Sequence, residues 1–226
     1  MLIIGHRGCK YAKENTLDAF KCAIDCGVDM LELDIQPSKD MEIVVCHDIN
    51  CERLTPLKGL VRNTNYKKLK KFNVFSLNDV LELTKFAKNI KLYIEFKGSY
   101  NETFLKKVIF VLRNCKKNNI YLASFNYKYF IKLLDYKKNC NIGYITCNNY
   151  KFINRIEEAD FISFHHEFID NDVANHFKKI GLNIFIYTIN RKSILLNIIK
   201  YEPDGIISDV PNHIISWLNS TNQHIK

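Results

Sequence analysis

The sequence predicts an α/β protein closed into a (β/α)8 barrel, with a short insertion after the second strand. Three observations lead there. Short runs rich in Ile, Val, Phe and Tyr alternate with amphipathic stretches whose outer faces carry lysines. Eight such units fit into 226 residues, the economy of a closed barrel. The chemically capable side chains fall at the carboxyl ends of the runs, where barrels of this kind carry their sites. An open dinucleotide-binding sheet would need a Gly-x-Gly-x-x-Gly turn after its first strand, and the chain has Gly5-His6-Arg7-Gly8 instead.

In chain order, strands are expected over 2–5, 30–35, 91–96, 120–124, 142–146, 161–164, 184–188 and 205–208. Helices are expected over 16–26, 77–88, 102–117, 127–136, 150–157, 172–180, 192–200 and 212–219. The helix over 77–88 falls out of step, because an irregular insertion at about 42–75 separates it from the second strand; that insertion opens with a short strand over 42–45. The stretch Asn126-Tyr127-Lys128-Tyr129 reads as a helix start, with Phe130, Leu133 and Leu134 buried. With no linker, low-complexity tract or repeat in view, 1–226 reads as one domain.

Composition narrows the class. An apolar share of 47% with 12% aromatic residues suits a packed core and argues against disorder. No apolar run approaches the ~18 residues of a membrane span. The opening Met1-Leu2-Ile3-Ile4-Gly5-His6 has no basic region or long apolar core, so no secretory leader is expected. The eight cysteines include no Cys-x-x-Cys pair, and Cys22 and Cys26 lie one turn apart on a predicted helix. Reduced, largely buried thiols and a cytoplasmic protein are therefore expected. The net charge of +9 admits nucleic acid, an anionic membrane surface or a phosphorylated small molecule. Runs such as Lys67-Lys68-Lys70-Lys71 read as solvated helix faces, and no nucleic-acid recognition module is visible, so nucleic acid is not expected.

Strand alternation turns Glu32 and Asp34 into the barrel mouth, with Leu31, Leu33 and Ile35 outward. It does the same for Tyr93, Glu95 and Lys97. Three clustered carboxylates need positive charge among them. A hard divalent cation, Mg2+ or Ca2+, meets that need, and so would pairing with Lys97 or Arg7. His6 ends the first strand and His47 the short strand of the insertion. Two imidazoles beside carboxylates suit phosphodiester cleavage, in which one group accepts a proton and another donates one. Arg7 offers a guanidinium to phosphate oxygens. Ser124, His165, Tyr187 and Asp209 also fall at strand ends.

The ordered set is recognisable. Gly5-His6-Arg7-Gly8, Glu14-Asn15-Thr16, Ala19-Phe20, Glu32-x-Asp34, Ile43-Val44-Val45-x-His47-Asp48 and Arg53-Leu54-Thr55 resemble the opening signature of the glycerophosphodiester phosphodiesterases. Ile94-Glu95-x-Lys97-Gly98, Ser124-Phe125, Tyr187-Thr188-Ile189-Asn190 and Gly205-Ile206-Ile207-Ser208-Asp209-x-Pro211 continue it to the end of the chain. The resemblance implies a TIM barrel that hydrolyses glycerophosphodiesters to sn-glycerol 3-phosphate and an alcohol. It implies His6 as proton acceptor and His47 as donor, Glu32, Asp34 and Glu95 as metal ligands, and Arg7, Lys97, Ser124 and Tyr187 as substrate contacts. In that family a glycerol hydroxyl is thought to attack phosphorus before water opens a cyclic phosphate. Tyr187 stands where the family commonly has Trp, and the insertion is trimmed after Val61. Lysophospholipase D or sphingomyelinase D-like activity on the same barrel, and a non-catalytic scaffold, are the rival readings.

Overall fold

A computed structural model describes residues 1–87, 89–147 and 153–223. The chain runs through β1 (Leu2–Gly5), α1 (Leu17–Asp25), β2 (Met30–Pro37), β3 (Ile43–Val45), α2 (Tyr66–Lys70), α3 (Leu77–Thr84) and β4 (Lys91–Phe96). It continues through α4 (Glu102–Leu112), β5 (Ile120–Ser124), α5 (Tyr127–Leu134), β6 (Asn141–Thr146), β7 (Phe161–His165) and α6 (Asn171–Lys179). The last elements are β8 (Asn183–Tyr187), α7 (Lys192–Ile198), β9 (Gly205–Ser208) and α8 (Pro211–Gln223).

Eight parallel strands close into a barrel, because β1 pairs with β9 on one side and β2 on the other. The insertion's β3 runs antiparallel against the end of β2, with Val45 opposite Ile35. Short 3-10 turns follow at Val61–Asn63 and, beyond β6, at Ile156–Glu158. The helix expected over 150–157 is not there: residues 150–152 lie outside the described residues, 153–155 are non-helical, and the 3-10 turn takes up the rest. The expected helices over 77–88 and 102–117 end earlier, at Thr84 and Leu112, and Lys88 lies outside the described residues.

Two apolar layers hold the barrel. Outward residues such as Leu31, Leu33, Ile94 and Phe164 pack under the helices. Inward residues Ile4, Met30, Tyr93, Phe161, Phe185 and Ile207 fill the interior. Aromatic bulk inside so narrow a cylinder requires small partners. A Cβ on Gly143 would lie 2.2 Å from the Phe161 ring, and one on Gly205 would lie 2.9 Å from Phe185. Tyr93 spans the interior to reach Ser163 Oγ at 2.9 Å, which satisfies both buried hydroxyls. At the amino-terminal rim one device recurs three times: an aspartate just before a strand accepts from the first amides of the neighbouring strand. Asp29 takes the Ile3 N–H, Asp160 that of Ile142 and Asp204 that of Ile184, at 2.8–2.9 Å.

The cysteine expectation is corrected in part. Cys9, in the loop after β1, is paired with Cys22 on α1, their Cα atoms 6.2 Å apart. The other six are free, and of these Cys46, Cys51 and Cys140 are buried. Spacing along the chain hid the pair, since it is the fold of the first loop over α1 that brings them together.

Gly143→Ala should destabilise the protein by about 1–3 kcal/mol, because the methyl group overpacks the interior against Phe161. Phe161→Leu in the same chain should recover part of that loss, measured by chemical denaturation of both variants.

Candidate active site

The site starts from a tight turn. Gly5-His6-Arg7-Gly8 leaves β1 with Arg7 and Gly8 at φ of 51° and 96°. At Gly8 the positive φ and a Cβ that would lie 2.5 Å from the Ala19 backbone both demand glycine. The turn aims the Arg7 amide at Glu32 Oε2, 2.8 Å away. It also leaves the His6 ring at the mouth, where Nδ1 meets Asp209 Oδ1 at 2.6 Å. Asp209 follows β9 and is itself gripped by Asn190, whose amide group contacts its carboxylate and accepts its backbone N–H at 2.9 Å.

The sheet register then sets the carboxylates side by side, since Asp34 of β2 is paired with Glu95 of β4. Oxygens of Glu32, Asp34 and Glu95 all come within 4.8 Å of one another, and all three residues are buried. Asn15 clamps Asp34 from both ends: its Nδ2 donates to Oδ2 at 2.9 Å, and its Oδ1 accepts the Asp34 amide at 3.2 Å. Arg7 Nε lies 3.2 Å from Asp34 Oδ2, and Lys97 touches Glu95 and stands 3.6 Å from Asp34 Oδ1. Asp34 Oδ1 and Glu95 Oε1 are buried and make no hydrogen bond of regular geometry, and the Lys97 ammonium is the cation beside both. Two buried carboxylate oxygens that share one ammonium, in an all-oxygen cluster, suit a hard divalent cation. The residues fit such an ion.

His47 reaches the same cavity from the insertion. The β3 pairing carries it there, and Gln36 fixes the loop by donating to the carbonyls of Cys46 and Asp48 at 2.9 and 2.7 Å. His47 Nδ1 contacts Asp48 Oδ1 at 2.8 Å. Arg53 binds Asp48 and also Glu14, which in turn holds Arg7 at 3.2 Å. A charge network therefore joins the two histidine-bearing loops. Sequence reasoning used Glu14, Asn15 and Arg53 only as pieces of a signature and placed Asp209 at a strand end without a task; their tasks appear in contacts between distant segments.

A cavity of about 190 Å³ opens over these groups. His6, Arg7, Glu32, His47, Glu95 and Lys97 form its polar side; Tyr93, Phe125, Ile145, Tyr187 and Ile207 form its apolar side. Asp34 lies buried beneath, in the same cluster. Ser124 is not in the lining. It is buried, its hydroxyl donates to the Phe96 carbonyl at 3.4 Å and accepts from the Asn126 amide at 3.1 Å, and Phe125 meets the cavity in its stead.

Electrostatics separate the two imidazoles. Burial disfavours the His6 cation, but the Asp209 hydrogen bond and the charge of Glu32 outweigh it and raise the pKa. For His47 burial prevails over Asp34 and Asp48, and the pKa falls. The surroundings thus raise the proton affinity of His6 and lower that of His47. Asp48 is pushed down to about 2, first by the Arg53 hydrogen bond. Burial, then the charge of Asp34, pushes Glu32 up to about 7, and burial likewise raises Glu95.

That last shift sets a pH signature. An acid whose folded pKa of about 7 exceeds its unfolded value near ~4.3 makes folding less favourable as pH rises through that window. A bound cation removes the penalty and competes poorly with protons below it. Mg2+ or Ca2+ should therefore raise Tm by several degrees at pH 8, at roughly 2–4 °C per kcal/mol recovered, and much less at pH 5. Equal shifts at both pH values, or none, would count against the cation site.

Comparison with known proteins agrees with this geometry. The model of the glycerophosphoryl diester phosphodiesterase family matches residues 6–213. YhdW of Bacillus subtilis is 30% identical over 238 residues, covering 95% of this chain and 97% of YhdW. A glycerophosphodiester phosphodiesterase of Caldanaerobacter subterraneus is 29% identical over 239 residues, covering 95% and 96%. A phosphodiesterase of Oleispira antarctica, solved with its product sn-glycerol 3-phosphate, superposes with a TM-score of 0.84 at 23% identity, over 97% of each chain. A match spanning almost the whole chain, on a barrel that brings the signature residues into one cavity, makes this protein an enzyme of the glycerophosphoryl diester phosphodiesterase family.

Proposed function

We propose that the protein hydrolyses glycerophosphodiesters to sn-glycerol 3-phosphate and an alcohol, by His6–His47 acid–base chemistry beside a divalent cation. The observation that carries this reading is the buried cluster of Glu32, Asp34 and Glu95, flanked by two histidines each held at Nδ1 by a carboxylate. Anchoring Nδ1 fixes each ring and leaves Nε2 for proton transfer. Glu32, Asp34 and Glu95 would hold the cation, Mg2+ or Ca2+, which when bound neutralises them and stabilises charge on the phosphate oxygens.

Arg7 and Lys97 flank that position and suit the remaining phosphate oxygens. His47, whose pKa is lowered, takes the proton of the attacking hydroxyl as its oxygen bonds to phosphorus. His6, whose pKa is raised, gives its proton to the alcohol oxygen as the P–O bond breaks. Asp209 is a positioning residue that holds the His6 ring and favours its cation. The apolar side, with Tyr187, receives a non-reacting part of the substrate.

The test is release of sn-glycerol 3-phosphate from glycerophosphocholine and glycerophosphoethanolamine, with EDTA and then with Mg2+ or Ca2+ restored. Release that chelation abolishes and the cation restores is expected; no release with any cation sinks the reading. His6→Ala and His47→Ala should fold normally and lose about 10²–10⁴-fold in kcat. On a diester with a p-nitrophenolate leaving group, which needs no protonation, His6→Ala should lose far less than His47→Ala. The opposite pattern would restore the order implied by the family resemblance.

A further inference from the structure

Two large apolar side chains stand in water at the end of the barrel opposite the cavity. Phe86, in the turn after α3, is 89% exposed, and Phe110, in the last turn of α4, is 62% exposed. No other large apolar side chain among the described residues is as exposed as either. The buried stripe of α4 is Phe104, Leu105, Val108 and Leu112, and Phe110 falls outside it. Neither ring supports the core, and neither serves the site. Because α3 precedes β4 and α4 follows it, the two rings lie on either side of the point where β4 enters the barrel at Lys91.

Charge is sorted around the same amino-terminal rim. Residues 83–91 and 110–119 contain Lys85, Lys91, Arg113, Lys116 and Lys117 but no aspartate or glutamate. Lys85, Arg113, Lys116 and Lys117 are exposed. Glu82 pairs with Lys85 at 2.6 Å from one turn back on α3, and the Arg113 guanidinium lies over the Phe110 ring, 3.8 Å from its centroid. The acids of this rim gather in other units, with Asp25 and Asp29 before β2, Glu157, Glu158 and Asp160 before β7, and Glu202 and Asp204 before β9.

Exposed rings set among basic groups suit a partner that offers apolar depth and negative charge together. A bilayer with anionic headgroups does so. The rings enter the boundary between headgroups and acyl chains, while the lysine stems follow and their ammonium groups stay with the phosphates. Nucleic acid would meet the charges but bury neither ring. A protein surface would need a matching cavity for each ring, whereas acyl chains need no preformed fit.

We propose that this sector of the amino-terminal rim, with Phe86 and Phe110 as the inserted side chains, docks the protein on an anionic lipid surface. Docked in this way, the barrel turns its cavity, at the opposite end, towards water. The proposal does not depend on the phosphodiesterase reading.

The test is co-sedimentation at low salt with vesicles of phosphatidylcholine alone and of phosphatidylcholine with about 30% phosphatidylglycerol. Partitioning onto the anionic vesicles should exceed that onto the neutral ones by about 10-fold or more, and should fall as salt rises. Phe86→Ser combined with Phe110→Ser should lower it by about 10-fold, through lost burial of the rings. Lys116→Glu combined with Lys117→Glu should lower it by about 10-fold or more, through charge. All four positions are exposed, so Tm should stay near the wild-type value in both double variants. Equal partitioning onto neutral and anionic vesicles, or none onto either, overturns the proposal without recourse to a variant. Anionic partitioning that survives both double variants overturns the assignment to this sector. Retention of duplex DNA by a protein that the vesicles leave in the supernatant gives the basic sector to nucleic acid and overturns the proposal as well.

Discussion

Three carboxylates packed within 4.8 Å in the mouth of a barrel are the constraint around which the rest of the site is arranged. Like charges at that spacing are unfavourable unless each oxygen is claimed. Claims come from several directions: the Arg7 amide on Glu32, both ends of the Asn15 side chain on Asp34, and the Lys97 ammonium on Glu95. Asp34 Oδ1 and Glu95 Oε1 share that one ammonium, and a divalent cation would complete the cluster. Under the proposed function Arg7 and Lys97 would also contact the phosphate, so the groups that steady the free carboxylates would serve the substrate as well.

The histidines show the same economy. Each is fixed by a carboxylate, yet the surroundings pull their proton affinities apart. At His6 the Asp209 hydrogen bond and the charge of Glu32 outweigh burial, while at His47 burial prevails. A proton donor and a proton acceptor can thus coexist at one pH, as one reaction cycle requires. The Glu14–Arg53–Asp48 network ties their two loops, so their separation across the cavity is set by charge pairs rather than by packing alone.

Much of this was legible in the amino acids. Alternation in Leu31-Glu32-Leu33-Asp34-Ile35 named both β2 carboxylates and their inward face, because period-two patterning is a local property of a strand. Strand order around the barrel was equally readable, since each unit is consecutive. What escaped were contacts between segments far apart. Asp209 lies 203 residues from His6, and only closure of β1 against β9 makes them neighbours. Cys9 met Cys22 through the path of a loop, and the Ser124 hydroxyl was drawn to backbone groups that its position alone did not reveal. The expected helix after β6 failed for a local reason, since Asn154 and Arg155 form a turn, with Arg155 in the left-handed region, ahead of the 3-10 turn.

The barrel also divides its labour along the chain. His6, Arg7, Glu32, Asp34, His47, Glu95 and Lys97 come from β1, β2, β4, their loops and the insertion, all before residue 98. The rings of Phe125, His165 and Tyr187 come from β5, β7 and β8 and their loops, beyond residue 120. Under the proposed function, the groups that meet the phosphate and the rings beside it are thus written in successive stretches of one polypeptide, joined where the cylinder closes and Asp209 reaches back to His6.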